Sequence, residues 1–66
     1  MFKNYKIIFF NKVSKRIITI TPSEERASLI SIKTWLRNND SISDAVVYDT
    51  EGNYAFEYDE EKGFTQ

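Results

Sequence analysis

A single helix-start pattern divides this sequence into two halves. Thr21-Pro22-Ser23-Glu24 supplies, in order, a capping residue, a proline suited to the first helical position and the acidic residue of a capping box. We therefore predict one helix from about Pro22 to about Asn38. Its buried side is predicted to carry four apolar residues: Leu29, Ile32, Trp35 and Leu36.

Two strands are predicted before this helix. Residues 5–10 and 16–20 are rich in β-branched and aromatic side chains, which suit a half-buried pleated surface. The segment between them lacks the glycine of a two-residue turn, so a four-residue loop built on a type I turn is favoured. This register places Phe9 opposite Ile18.

A second hairpin is predicted after the helix, with strands at residues 45–49 and 53–58. Asp49-Thr50-Glu51-Gly52 fits a type I turn followed by a glycine bulge. One face of this hairpin is predicted to carry Val46, Tyr48, Tyr54, Phe56 and Tyr58. The other face is predicted to carry Ala45, Val47, Ala55 and Glu57.

The element order predicts an α+β domain of ββαββ type, a four-stranded sheet with one helix packed on one face. A right-handed crossover would lay the last strand parallel beside the first, which is a β-grasp arrangement. In element order and length the chain is similar to the small immunoglobulin-binding domains of bacterial surface proteins. This resemblance is one of architecture and rests on no shared motif, so it implies a fold but no function. Residues 1–59 are expected to form the single domain. Residues 60–66 are expected to be an acidic, frayed tail with Phe64 as its only anchor.

The composition argues against chemistry at a catalytic, metal or cofactor site. The 66 residues include neither histidine nor cysteine, so the usual proton-transfer group, the strongest nucleophile and the usual zinc ligands are missing. Two weaker patterns remain. Glu57 and Asp59 could share a proton in a closed pocket. The calcium-loop spacing of Asp49, Glu51, Asn53 and Glu60 lacks its glycine at the sixth position. We expect no enzyme, no cofactor, no metal and no small-molecule substrate.

Charge is sorted along the chain. Residues 1–37 carry eight cationic and two anionic side chains, whereas residues 38–66 carry one cationic and eight anionic side chains. Such a separation of charge along the chain indicates association with a partner and carries no information about the fold. The absence of cysteine and of a long apolar run favours a cytoplasmic protein that does not enter a membrane.

Two surfaces are candidates for binding. One is the sheet face that a lone helix leaves uncovered: Ile8, Phe10, Ile17, Thr19, Val47 and Ala55. The other is a basic stripe on the outward side of the helix: Arg26, Ile30, Lys33 and Arg37. Contiguous exposed apolar patches commonly mark interfaces, whereas basic helix stripes are commonly solvated, so the sheet face is favoured. A register slip of one residue would reverse the two faces of a strand.

The favoured hypothesis is a small protein-interaction module, a regulator, inhibitor or adaptor of the kind that mobile elements often carry. It would associate through the open sheet, as a homodimer or with a larger protein. A first alternative is nucleic-acid binding through the basic first hairpin and the helix stripe. A second is an acidic mimic of a phosphate row that blocks a DNA-binding protein.

Overall fold

A computed structural model of the chain describes residues 4–22 and 28–65. These residues form five strands and one helix. Their bounds are β1 (Lys6–Asn11), β2 (Arg16–Ile20), α1 (Leu29–Arg37), β3 (Ile42–Tyr48), β4 (Tyr54–Asp59) and β5 (Gly63–Thr65). The strands form one antiparallel sheet in the order β2-β1-β3-β4-β5, and α1 packs on one of its faces. The predicted α+β class is confirmed.

The strand order differs from the predicted β-grasp arrangement. β1 lies between β2 and β3 and is antiparallel to both, whereas the prediction placed the last strand of a four-stranded sheet parallel beside it. β3 carries Val46 on one face and Val47 on the other, and apolar side chains on both faces suit the middle of a sheet. β4, whose corresponding face carries the charged Glu57, lies farther out.

The first hairpin has the predicted register, with Phe9 opposite Ile18, and the predicted four-residue loop. The Asn11 side-chain oxygen accepts hydrogen bonds from the backbone N–H groups of Val13 and Ser14 at 2.9 and 3.0 Å. Lys15 closes the loop with a φ of 57°, a left-handed conformation that glycine adopts more readily than other residues. We call residues 12–15 the hairpin tip.

The helix begins at Leu29, later than predicted. Ser28 is extended and caps the helix, because its hydroxyl accepts from the Ser31 N–H at 3.2 Å while the Ser31 hydroxyl accepts from the Ser28 N–H at 2.9 Å. Ser31 thus occupies the position that glutamate usually has in a capping box. The predicted cap at Thr21 is not the cap of this helix, and residues 23–27, including Glu24, lie outside the described residues. The helix ends at Arg37 with Asn38 as its C-cap, close to the predicted end.

The core lies between α1 and the sheet. From the helix, Ile32 and Leu36 are buried as predicted, and Leu29 packs at the edge of the core. Trp35 is 38% exposed and sets its ring edge-on to Phe9, with 5.6 Å between centroids, so it covers the margin of the core. From the sheet, the core takes Ile7, Phe9, Ile42, Ala45, Val47, Phe56 and Tyr58.

The second hairpin has the predicted turn but a different pairing of faces. Tyr48 pairs with Tyr54 as the predicted face requires, but the next pair is Val47 with Phe56, so Ala55 is an additional residue in β4. This β-bulge moves Phe56 onto the face of Val47 rather than that of Val46. The predicted grouping of Val46 with Phe56 was therefore wrong.

The turn itself follows its sequence. The Gly52 N–H donates to the Asp49 carbonyl at 3.0 Å, and Gly52 has a φ of 88°, which glycine adopts without strain. The Asp49 carboxylate accepts from the N–H groups of Glu51 and Asn53, each at 2.9 Å. These contacts confirm the predicted type I turn with its glycine bulge.

The acidic C-terminal segment is not simply frayed, because Gly63–Thr65 forms β5 beside β4. Phe64 holds this strand in place. Its ring lies 5.6 Å from the ring of Phe56 and 5.0 Å from that of Tyr58, centroid to centroid. β5 therefore completes the core side of the sheet.

Candidate interaction surface on the open sheet face

The sheet has one face under α1 and one face, here called the open face, that no other described element covers. Strand side chains alternate between the two faces, so the register fixes the membership of each. Across the open face, one row runs from Ile17 through Phe10 and Asp44 to Asp59. The next row runs from Thr19 through Ile8 and Val46 to Glu57. The half nearer β2 is thus apolar, and the half nearer β4 is acidic.

Four of the predicted interface residues lie on the open face. Ile8 and Phe10 are half-buried in the sheet, Ile17 is 74% exposed, and Thr19 is exposed beside them. Ile8, Phe10 and Ile17 form a continuous apolar area because Ile17 lies opposite Phe10 on neighbouring strands and Ile8 shares their face.

Two predicted interface residues belong to the core instead. Val47 has no exposed surface and lies under α1, and Ala55 packs against the core cluster at the bulge. Both misplacements have one cause. The bulge shifts the faces of the second hairpin by one residue, so Val46, rather than Val47, joins the open face.

The basic helix stripe is not free of contacts. The Lys33 ammonium lies 5.0 Å from the Phe56 ring centroid and 5.4 Å from that of Phe64, and the Arg37 guanidinium lies 5.5 Å from that of Phe64. These cation–π contacts hold β5 against the helix. Ile30 is 78% exposed, and Arg26 lies outside the described residues. Lys33 and Arg37 therefore flank β5, whereas Ile30 faces solvent.

A depression of about 570 Å³ occupies the end of the open face beside the hairpin tip. Its apolar lining comes from Ile8, Phe10, Ile17 and Val46, and its carboxylates come from Asp44, Asp59, Glu60 and Glu61. We call it the acidic depression. None of these carboxylates was among the predicted binding residues. Asp44 meets Phe10 only because β3 pairs with β1, a long-range pairing without a local sequence pattern.

One carboxylate of the depression, that of Asp59, is stabilised in its charged form. Asp59 accepts hydrogen bonds from the N–H groups of Glu61 and Lys62 at 2.8 and 3.1 Å, and these bonds lower the pKa of its carboxyl. A general acid needs the opposite shift. Glu57, its predicted proton-sharing partner, is exposed to solvent.

Glu60 forms an ion pair with the hairpin tip. Its carboxylate accepts from the Lys12 ammonium at 2.7 Å, and this hydrogen bond raises the pKa of Lys12. Nucleic-acid binding through the first hairpin required the carboxylates to lie on the far side of the domain. Instead, Glu60 sits directly on the basic hairpin, which counts against that alternative.

The calcium spacing has a structural explanation in the turn, where Asp49 accepts backbone hydrogen bonds. Within residues 4–22 and 28–65, no group of three or more carboxylates is arranged to hold a metal ion. The described helix is too short to cross a membrane. Comparison of the chain with protein-family models, with curated proteins and with solved structures finds no match.

Proposed function

We propose that this chain is a small non-catalytic protein-binding module that associates with a protein partner through the open face and thereby regulates, inhibits or adapts it. The observation that supports this proposal most strongly is the apolar area of Ile8, Phe10 and Ile17, with Ile17 74% exposed on an uncovered sheet. A protein that folds alone gains nothing from exposing such an area, whereas an interface buries it.

The size of the domain supports the same proposal. A chain of 66 residues buries a smaller fraction of its surface than a larger domain does, so added apolar burial in a complex contributes substantially to its stability. The lack of histidine supports a non-catalytic role, and the lack of cysteine supports a cytoplasmic one.

Affinity capture from extracts of the native host tests this proposal. The baits are the wild type, Ile17→Ser, and Phe10→Ser combined with Ile17→Ser. Ile30→Ser is the matched control, because Ile30 is equally exposed but lies on the helix. We expect the double variant to lose the main captured protein and the Ile30 control to retain it. Recovery of the same proteins at the same yield by all baits contradicts the proposal. A heteronuclear NMR spectrum of each bait checks that the variant is folded.

A further inference from the structure

The hairpin tip presents one exposed apolar side chain, that of Val13, among cationic side chains. Val13 is 81% exposed, more than any other large apolar side chain in the part of the chain that the structure describes. Lys12 precedes it, and Lys15 and Arg16 follow it. Lys12 is already paired with Glu60, so Lys15 and Arg16 are the cations beside the tip that can meet a partner's anions.

The tip is also tied down by hydrogen bonds at both of its ends. Besides the two bonds to the Asn11 side chain, the Lys15 N–H donates to the Asn11 carbonyl at 2.8 Å and the Lys12 N–H donates to the Ser41 carbonyl at 2.7 Å. A loop held in this way loses little conformational entropy when it docks. Val13 is thus presented in a fixed position.

The acidic depression has the complementary composition. It offers an apolar floor that includes Phe10 and Val46, and a border with Asp44, Asp59 and Glu61. Its volume of about 570 Å³ exceeds what one valine side chain needs and leaves room for the stems of neighbouring cationic residues. An apolar side chain flanked by lysine or arginine is the ligand that this combination selects.

We propose that the partner on the open face is a second copy of this chain, whose hairpin tip inserts into the acidic depression. This inference rests on the proposed function and names its partner. The tip and the depression adjoin at the same end of the sheet, since Phe10 lines the depression and lies two residues before Lys12, the first residue of the tip. A two-fold axis between two such ends makes both insertions at once, so the assembly closes as a dimer. The opposite charges of the two halves of the sequence then meet across the interface.

Two variants test this inference, and each alters one side of the proposed contact. Val13→Asp places a carboxylate on the tip, and Asp44→Lys places an ammonium on the depression. Both positions are exposed, so neither substitution disturbs the core. Analytical ultracentrifugation over a concentration series measures the dissociation constant of each protein alone and of an equimolar mixture. Ile30→Asp, on the helix, is the control.

We expect the wild type and the control to dimerise, and each single variant to dimerise about tenfold more weakly or worse. The mixture should regain affinity, because the intact tip of one variant meets the intact depression of the other and the two altered sides now have opposite charge. Added salt should weaken the wild-type dimer. A monomeric wild type, unaffected single variants, or a mixture no tighter than its components each overturns the inference. If the wild type is monomeric but the capture experiment still depends on Phe10 and Ile17, the proposed function stands and only the choice of partner is wrong.

Discussion

Replacing Phe64 with alanine measures how firmly β5 belongs to the fold. Complete burial of a phenylalanine makes its truncation cost about 3–5 kcal/mol, and Phe64 is only half-buried, so roughly half of that cost applies. The two ring contacts, to Phe56 and Tyr58, fall within this amount at about 0.5–1.5 kcal/mol each. We therefore expect a loss of about 2 kcal/mol in the free energy of unfolding. For a domain of this size, that loss lowers the melting temperature by roughly 8–16 °C.

Urea unfolding followed by the fluorescence of Trp35, the only tryptophan, measures this change. Phe64→Leu keeps apolar contact but removes the ring interactions, so about half of the loss should remain. Thr65→Ala, at the exposed neighbouring position, should stay within about 0.5 kcal/mol of the wild type. A Phe64→Ala variant as stable as Thr65→Ala would show that β5 does not pair with β4 in solution and would refute the reasoning.

Two further predictions concern the helix cap and the Asp59 turn. Ser28→Ala should lower the free energy of unfolding by about 1 kcal/mol and Thr21→Ala by much less, because Ser28 caps the helix; equal losses in urea unfolding would contradict this assignment. The Asp59 carboxyl should titrate below its ordinary pKa of 3.8 in an NMR titration, since backbone N–H groups of Glu61 and Lys62 bind its charged form. A lowered folded-state pKa stabilises the fold above the unfolded pKa and loses that contribution as pH falls through the folded pKa, so Asp59→Asn should flatten acid destabilisation in this range. An Asp59 pKa at or above 3.8 would contradict the prediction.

Local chemistry in the sequence predicted the first hairpin and both of its faces. The alternation of residues 5–10 and 16–20, together with a connection too poor in glycine for a tight turn, was sufficient to place Phe9 opposite Ile18 and to put Ile8, Phe10 and Ile17 on the open face. The turn at Asp49 was also predicted, because it too depends on residues that are close together in the sequence. Its geometry depends on an aspartate and a glycine three residues apart.

Features that depend on long-range pairing were not predictable. The bulge at Ala55 leaves no local mark, so the strand alternation placed Val47 on the wrong face. The pairing of β1 with β3 likewise has no sequence pattern, and without it the carboxylates of Asp44 and Asp59 could not be placed beside Phe10. β5 is three residues long and is held by the ring of Phe64 against distant residues rather than by its own alternation. The helix start was misplaced because Thr21-Pro22-Ser23-Glu24 and Ser28 are both acceptable caps in sequence, and burial of Ile32 and Leu36 is satisfied from Leu29 onward.

The additional residue in β4 decides which side chains of the second hairpin face the helix. Without the bulge, Ala55 would pair with Val47, and strict alternation from Tyr54 onward would turn Phe56 toward solvent and Glu57 toward the helix. Deleting Ala55 would instead leave Tyr54 opposite Tyr48 and Phe56 opposite Val47, so both faces of β4 would keep their side chains. An engineered version of this domain can therefore be shortened at Ala55, whereas a regularly paired strand of the present length would place an aromatic ring in water and a carboxylate in the core.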